Sequence, residues 1–95
     1  SGPLFKKAVF SGHQAEVEFD YGHGLELRGK ESFFEIAGPD GIFHPAKATV
    51  DHDKIVAVSG KVNEAKQIRY AWADDCVPNL FNGAGLPASP FKSAN

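Results

Sequence analysis

Between Gln14 and Asp20 the chain alternates without a break. Ala15, Val17 and Phe19 fall on one side, and Gln14, Glu16, Glu18 and Asp20 on the other. Only extended backbone puts residues i, i+2 and i+4 on one face, so this segment is a strand with a buried face and a wet one. Leu25 and Leu27 alternate with Glu26 and Arg28 in the same way, and Gln67–Trp72 places Ile68, Tyr70 and Trp72 on one face. Core packing is the expected role of those two aromatics. Leu4–Phe10, Phe33–Ala37, Ala46–Val50 and Lys54–Val58 bring the set to about seven short strands. Helical period is almost absent, since Asn63–Gln67 is too short for a stable helix.

Turn clusters punctuate these runs: Ser11-Gly12-His13, Tyr21-Gly22-His23-Gly24, Gly38-Pro39-Asp40-Gly41 and Asp51-His52-Asp53. They recur roughly every 10 residues, the spacing of hairpins rather than of crossover helices. A strand with one apolar face needs a second apolar face to cover it, so the expected fold is all-β. It should be an antiparallel two-sheet β-sandwich, Ig-like or jelly-roll-like, spanning 1–95 as one domain. The expected core contains Leu4 or Phe5, Val17, Phe19, Leu25, Leu27, Ile36, Ile55, Ile68 and Tyr70. Lys6, Lys7, Lys54 and Lys66 are expected to blunt exposed strand edges.

The sandwich strands are expected within 1–72, and 73–95 reads as a packed irregular tail. Pro78, Pro87, Pro90, Gly83 and Gly85 interrupt this stretch, which therefore is not expected to sustain ladder pairing. Val77, Leu80, Phe81, Leu86 and Phe91 nevertheless supply it with apolar anchors. A long irregular segment with such anchors is packed against something or functional. From Asn79 to Phe91 the four anchors Leu80, Phe81, Leu86 and Phe91 do not offset the ordering of the backbone unaided, so the side chains of Asn79 and Asn82 should add hydrogen bonds to backbone.

Charge and composition remove several classes of function. The net charge is −2, and Lys and Arg are scattered singly, without the basic stripe of a nucleic-acid binder. No apolar run approaches the ~20 residues of a membrane-spanning helix, and no signal peptide is expected among the opening residues. A single cysteine, Cys76, excludes an internal disulfide and a multi-cysteine zinc site. It has no base near it in sequence and reads as an inert thiol.

Four histidines invite a search for a catalytic or metal site. His13, His23, His44 and His52 lie in separate turns or beside strands, with no spacing that sets two ligands on one face. No serine stands in a Gly-x-Ser-x-Gly or similar elbow. Asp51-His52-Asp53 reads as a hairpin turn rather than a calcium loop. Glu16 and Glu18 share the wet face of their strand, where solvated edge residues are the simpler account than a carboxylate pair for glycoside chemistry. No catalytic residue, metal ligand or cofactor is expected. Tyr21, in its Gly-rich turn, is the one aromatic expected to be exposed as a platform for a sugar ring.

The second half of the chain carries a resemblance. Arg69-Tyr70-Ala71-Trp72-Ala73-Asp74, Asn79-Leu80-Phe81-Asn82 and Gly85-Leu86-Pro87-Ala88-Ser89-Pro90-Phe91 resemble the closing segment of the sialate O-acetylesterase family. That segment runs Arg-Tyr-Ala-Trp-Ala, Asn-Leu-Tyr-Asn and Gly-Leu-Pro-Ala-Ser-Pro-Phe, so Phe81 stands where Tyr is usual. Upstream, Ser1-Gly2-Pro3-Leu4-Phe5-Lys6 resembles the Ser-Gly-Pro-Leu-Tyr-Lys stretch that follows the family's catalytic domain. Phe34-Glu35-Ile36-Ala37-Gly38, Asp40-Gly41 and Phe43-His44-Pro45-Ala46 resemble a hairpin of the same family.

The resemblance implies a parent serine esterase with an SGNH-type α/β domain that removes acetyl groups from sialic acid or related sugars. The family's nucleophile and its Asp/His pair lie ahead of the Ser-Gly-Pro-Leu stretch, so none is carried over to these residues. This segment is then expected to be a non-catalytic C-terminal domain that packs on the catalytic domain. Its expected contact residues are Asn79, Leu80, Phe81, Asn82, Leu86, Pro87 and Phe91. An accessory module that binds an acetylated glycan is the alternative. The resemblance also implies a periplasmic or secreted parent.

Overall fold

A computed structural model describes residues 1–93; Ala94 and Asn95, which end the expected tail, lie outside the described residues. Ten strands follow in order: β1 Leu4–Ser11, β2 Gln14–Asp20, β3 Glu26–Leu27, β4 Phe34–Ala37, β5 Phe43–Pro45, β6 Lys47–Asp51, β7 Lys54–Val58, β8 Gln67–Tyr70, β9 Leu80–Phe81 and β10 Phe91–Lys92. No helix occurs among the described residues. One sheet runs β1-β2-β7-β6, the second β10-β8-β4-β5, and β3 with β9 forms a two-stranded ribbon. Every pairing between these strands is antiparallel. The all-β sandwich is the fold that the alternation implies.

The two sheets close on each other through the inward positions of their strands. Ala15, Val17, Phe19, Ile55 and Ala57 from the first sheet meet Phe34, Ile36, Ile68, Tyr70 and Phe91 from the second in one buried cluster. Phe91 stands where the sheets converge, stacked on Phe5 at 4.8 Å between centroids and edge-on to Phe19 at 5.8 Å. Such aromatic pairs add to the stabilisation that area burial alone provides.

β1 shows why its sequence pattern is hard to read. Phe5 pairs with Phe19 and Lys7 with Glu18, so Lys6 is an extra residue at a bulge. The bulge moves the inward set from Phe5 to Ala8 and Phe10, both packed on the core, and leaves Leu4 and Val9 exposed. Of the two alternatives at the strand's start, Phe5 is therefore the one that packs. Leu27, on the ribbon β3–β9, packs against the core but is only partly buried.

Three expectations are corrected. Lys54 begins β7, an interior strand with β2 on one side and β6 on the other, so it guards no edge. There it bonds Glu16 at 3.1 Å across the sheet. This hydrogen bond, followed by the negative charge of the same carboxylate, raises the Lys54 pKa above its usual value. The tail also does pair: β9 joins β3, and β10 joins β8 as an edge strand. These pairs are two residues long; β9 falls between Pro78 and Pro87 and β10 begins after Pro90, which is why proline density did not prevent them.

Trp72 is the third correction. β8 ends at Tyr70, and Ala71 adopts a left-handed backbone with φ 51°. That turn breaks the period-2 register, so Trp72 leaves the core face and is 50% exposed. Ala71 itself stays buried, its N–H donating to the Phe33 carbonyl at 2.9 Å.

Candidate functional site

The histidines, serines and carboxylates weighed for catalysis and set aside do not converge. His52 pairs with Asp51 at 2.8 Å and His23 with Asp53 at 3.5 Å, and both imidazoles are almost fully in water. The serine hydroxyls that form hydrogen bonds among the described residues do so with backbone groups, not these imidazoles: Ser32 and Ser93 accept from Phe34 and Ile68 N–H, and Ser1 donates to the Gly2 carbonyl. Glu16 is bridged to Lys54 and Glu18 to Lys7, so the two carboxylates face separate lysines. Among the described residues no group of three His, Cys, Asp or Glu could hold a metal ion. Cys76 is free and partly buried. His52, with φ 55°, occupies the two-residue hairpin loop between β6 and β7, as a turn reading of that cluster requires.

The tail residues converge on a different task. Tyr70 projects its hydroxyl to the start of β9, where it accepts the N–H groups of Asn79 and Leu80, both at 2.9 Å. Burial raises the Tyr70 pKa above its usual value, and the two backbone donors only partly oppose that shift. Asn79 in turn sends its Nδ2 to the carbonyls of Arg28 at 2.9 Å and Glu31 at 2.7 Å. Its Oδ1 is buried with no partner among the described residues. Arg28 lies over the Phe81 ring at 3.7 Å, which covers the outer side of the ribbon.

Asn82 does the same at the other end of β9. Its Nδ2 donates to the carbonyls of Ser1 and Tyr21, each at 3.1 Å, and its Oδ1 accepts the N–H groups of Ala84 and Leu86, each at 3.1 Å. One buried side chain thus joins the start of the chain, the turn after β2 and the loop after β9. The loop's own backbone is satisfied too: Asn82 N–H donates to the Leu86 carbonyl at 3.1 Å, and Gly83 N–H to the His23 carbonyl at 2.8 Å. Gly85 N–H donates to the Asn82 carbonyl at 2.9 Å and Ala88 N–H to the Leu80 carbonyl at 2.8 Å.

The opening residues sit directly on this loop. A Cβ at Gly2 would lie 1.8 Å from the Pro87 carbonyl oxygen, so no larger residue fits there without moving backbone. Pro3 is fully buried, and its carbonyl accepts Ser89 N–H at 3.4 Å. Beside this contact a groove of about 520 Å³ opens, lined by Ser1, Tyr21, His23, Asn82, Ala84 and Leu86. Tyr21 is 61% exposed and Leu86 41%.

The seven expected contact residues therefore separate into two groups. Asn79, Leu80, Asn82 and Phe91 are buried inside this domain, with Leu80 and Phe91 part of its core. Phe81, Leu86 and Pro87 retain accessible surface. Tyr21 and the Ser1–Pro3 segment complete the same region and were not among the seven. The available signal was weak: a Gly-Pro step near the start, and an Asn-Gly pair in the tail with nothing to tie one to the other.

The chain matches no family model and no curated protein. It is similar to the crystal structure of a carbohydrate acetylesterase from Xanthomonas citri, with 41% identity and a TM-score of 0.85. The match covers 99% of this chain and 23% of that one, so the chain spans about a quarter of the enzyme's length. A domain-sized part of a carbohydrate esterase is what the chain is related to.

Proposed function

We propose that this chain is the non-catalytic C-terminal β-sandwich of a sialate O-acetylesterase-like enzyme and packs on its SGNH-type catalytic domain. The observation that carries the reading is the near-complete match of this chain to under a quarter of a carbohydrate acetylesterase. A domain of this size with its polar chemistry tied up in backbone contacts suits a supporting role, and the chemistry of ester cleavage then belongs to the rest of the parent. The parent's substrate, an O-acetyl ester of sialic acid or a related sugar, and its periplasmic or secreted location belong to this proposal, resting on the motif resemblance alone. The alternative, a glycan-binding module, calls for paired exposed aromatics on one sheet face. Tyr21 and Trp72 instead follow β2 and β8, which belong to different sheets.

Acetate release from O-acetylated sialic acid and from a simple acetate ester, measured on the 95-residue chain and on the longer enzyme, tests the reading. The expected result is turnover by the longer enzyme and none by the chain. Steady release by the chain alone, abolished by a single Ser→Ala change, would overturn it.

A further inference from the structure

We propose that the cleft between Trp72 and Glu35, beside the outer face of the β10-β8-β4-β5 sheet, takes the acetamido group of a sugar. The methyl lies against the indole, and the amide N–H donates to the Glu35 carboxylate. This rests on the proposed function above, which makes the parent's substrate an acetylated sugar. The cleft itself is built from contacts within this domain. It encloses about 130 Å³, and its walls include Ser32, Phe33, Glu35, Pro45, Trp72 and Cys76. Pockets that hold a whole small molecule run to roughly 300–1,000 Å³, so this one suits a substituent rather than a sugar ring.

The lining sets what the substituent must offer. Glu35 is the one charged residue of the walls, and a carboxylate only accepts hydrogen bonds. Around it stand the indole of Trp72, Phe33, Pro45 and Cys76, which favour an apolar group. A ligand therefore needs a donor directly beside an apolar end. An O-acetyl ester has the methyl but no donor. An acetamido group carries both in one planar unit, and its N–H meets a charged acceptor, the stronger kind of hydrogen bond.

Both walls are held in place before any ligand arrives. Ala71 aims Trp72 outward from a left-handed backbone, with its own N–H pinned to the Phe33 carbonyl on the facing wall. Strain of this kind collects where a side chain has to be positioned. Glu35 points away from the core, since its neighbours Phe34 and Ile36 fill the inward positions of β4. Across the sheet Arg69 Nε donates to Glu35 Oε1 at 2.8 Å, and the guanidinium lies over the Phe43 ring at 4.0 Å. Among the described residues only Oε1 has a donor, so Oε2 is the oxygen left to a ligand. The result is a subsite for one substituent, not the paired platform of an independent glycan-binding module.

Trp72 is the sole tryptophan, so the emission of the 95-residue chain reports on this cleft alone. Titration with N-acetylglucosamine, N-acetylneuraminic acid and glucose tests the proposal. A saturable change is expected with the two acetamido sugars and none with glucose. Glu35→Ala should weaken binding at least about tenfold, the usual loss for a hydrogen bond to a charged group. Ala73→Leu, at an exposed position on the cleft wall, should block binding while leaving the urea midpoint in place. No saturable change with either acetamido sugar, an equal response to glucose, or unchanged affinity in both variants would overturn the proposal. In the longer enzyme labelled with fluorotryptophan, the fluorine resonance lost in Trp72→Phe should also shift with N-acetylglucosamine. A resonance unmoved there would assign the cleft to a contact inside the parent and overturn the sugar site. Binding as expected by a chain that also releases acetate would support the cleft and strike the proposed function instead.

Discussion

The hairpins over residues 4–58 and the tail over residues 79–91 are both ordered, but by different means. In the β1-β2-β7-β6 sheet, order comes from repetition: long ladders, one apolar face, and a register that any one-residue slip would invert. In the tail the longest ladder is two residues, and order comes from three polar side chains that bond backbone. Tyr70 and Asn79 fix the start of β9, and Asn82 fixes its end. Repetition shares its stabilisation over many positions. The tail concentrates it in a few, so single substitutions there should have disproportionate effects.

The largest expected effect lies where the two regions meet. Phe91 belongs to the tail by sequence but contacts Phe5 and Phe19 of one sheet and Phe34 and Tyr70 of the other. Phe91→Ala removes a buried ring and should cost about 3–5 kcal/mol, the usual range for such truncations. That is a large part of the roughly 5–15 kcal/mol available to a domain. Urea unfolding followed by circular dichroism would measure it. A loss below about 1 kcal/mol would mean that the tail is an appendage to the sandwich rather than part of its core.

A loss of comparable size, with a pH signature, is expected at Tyr70. Tyr70→Phe keeps the ring but leaves the buried N–H groups of Asn79 and Leu80 without their acceptor, at about 1–3 kcal/mol for each such group. The hydroxyl's pKa is raised in the folded state above the ordinary 10.0. Above that pH the unfolded chain releases the phenol proton while the folded chain keeps it, so ΔG of unfolding falls as pH rises. Below it this contribution is fully present. The raised pKa of Lys54 acts in the same direction, so Tyr70→Phe should shallow the alkaline decline without abolishing it. An unchanged slope between wild type and Tyr70→Phe would show that the phenol does not couple to folding.

This contrast also explains what was legible in the sequence. Val17, Phe19, Ile36, Ile55 and Ile68 announced themselves by period, because a repeated pattern over five to seven residues has few other physical meanings. The short strands β9 and β10 have no room for a period. The clamps are nonlocal: Asn82 meets Ser1 and Tyr21, and Asn79 meets Arg28 and Glu31, none within reach along the chain. The need for Asn side chains to bond backbone was inferable from the entropy of ordering the tail, but their partners were not. In β1, the bulge at Lys6 hid a real strand face behind a broken alternation. Around Trp72 the reverse occurred, since the alternation seemed to continue after the strand had ended.

Ala71 is where that false continuation can be dissected, and there the smallest effect is expected. Three terms compete in Ala71→Gly. Left-handed backbone costs an L-residue about 1–2 kcal/mol, which glycine recovers. Against that, one buried methyl is worth about 0.8 kcal/mol. Glycine also adds roughly 0.4–1 kcal/mol of conformational freedom to the unfolded chain. The sum lies within about 1 kcal/mol of zero, so Ala71→Gly should leave the unfolding midpoint nearly in place. Ala71→Val should not, because a β-branched residue at φ 51° is a severe outlier in a buried site. If the chain answered instead by returning residue 71 to extended backbone, Trp72 would rotate back toward the core. Trp72 is the sole tryptophan, so its emission reports that choice directly. A blue shift in Ala71→Val with stability retained would show that the left-handed corner is dispensable; loss of stability with Trp72 still exposed would show that the corner is what ends β8 and releases the tail toward Asn79.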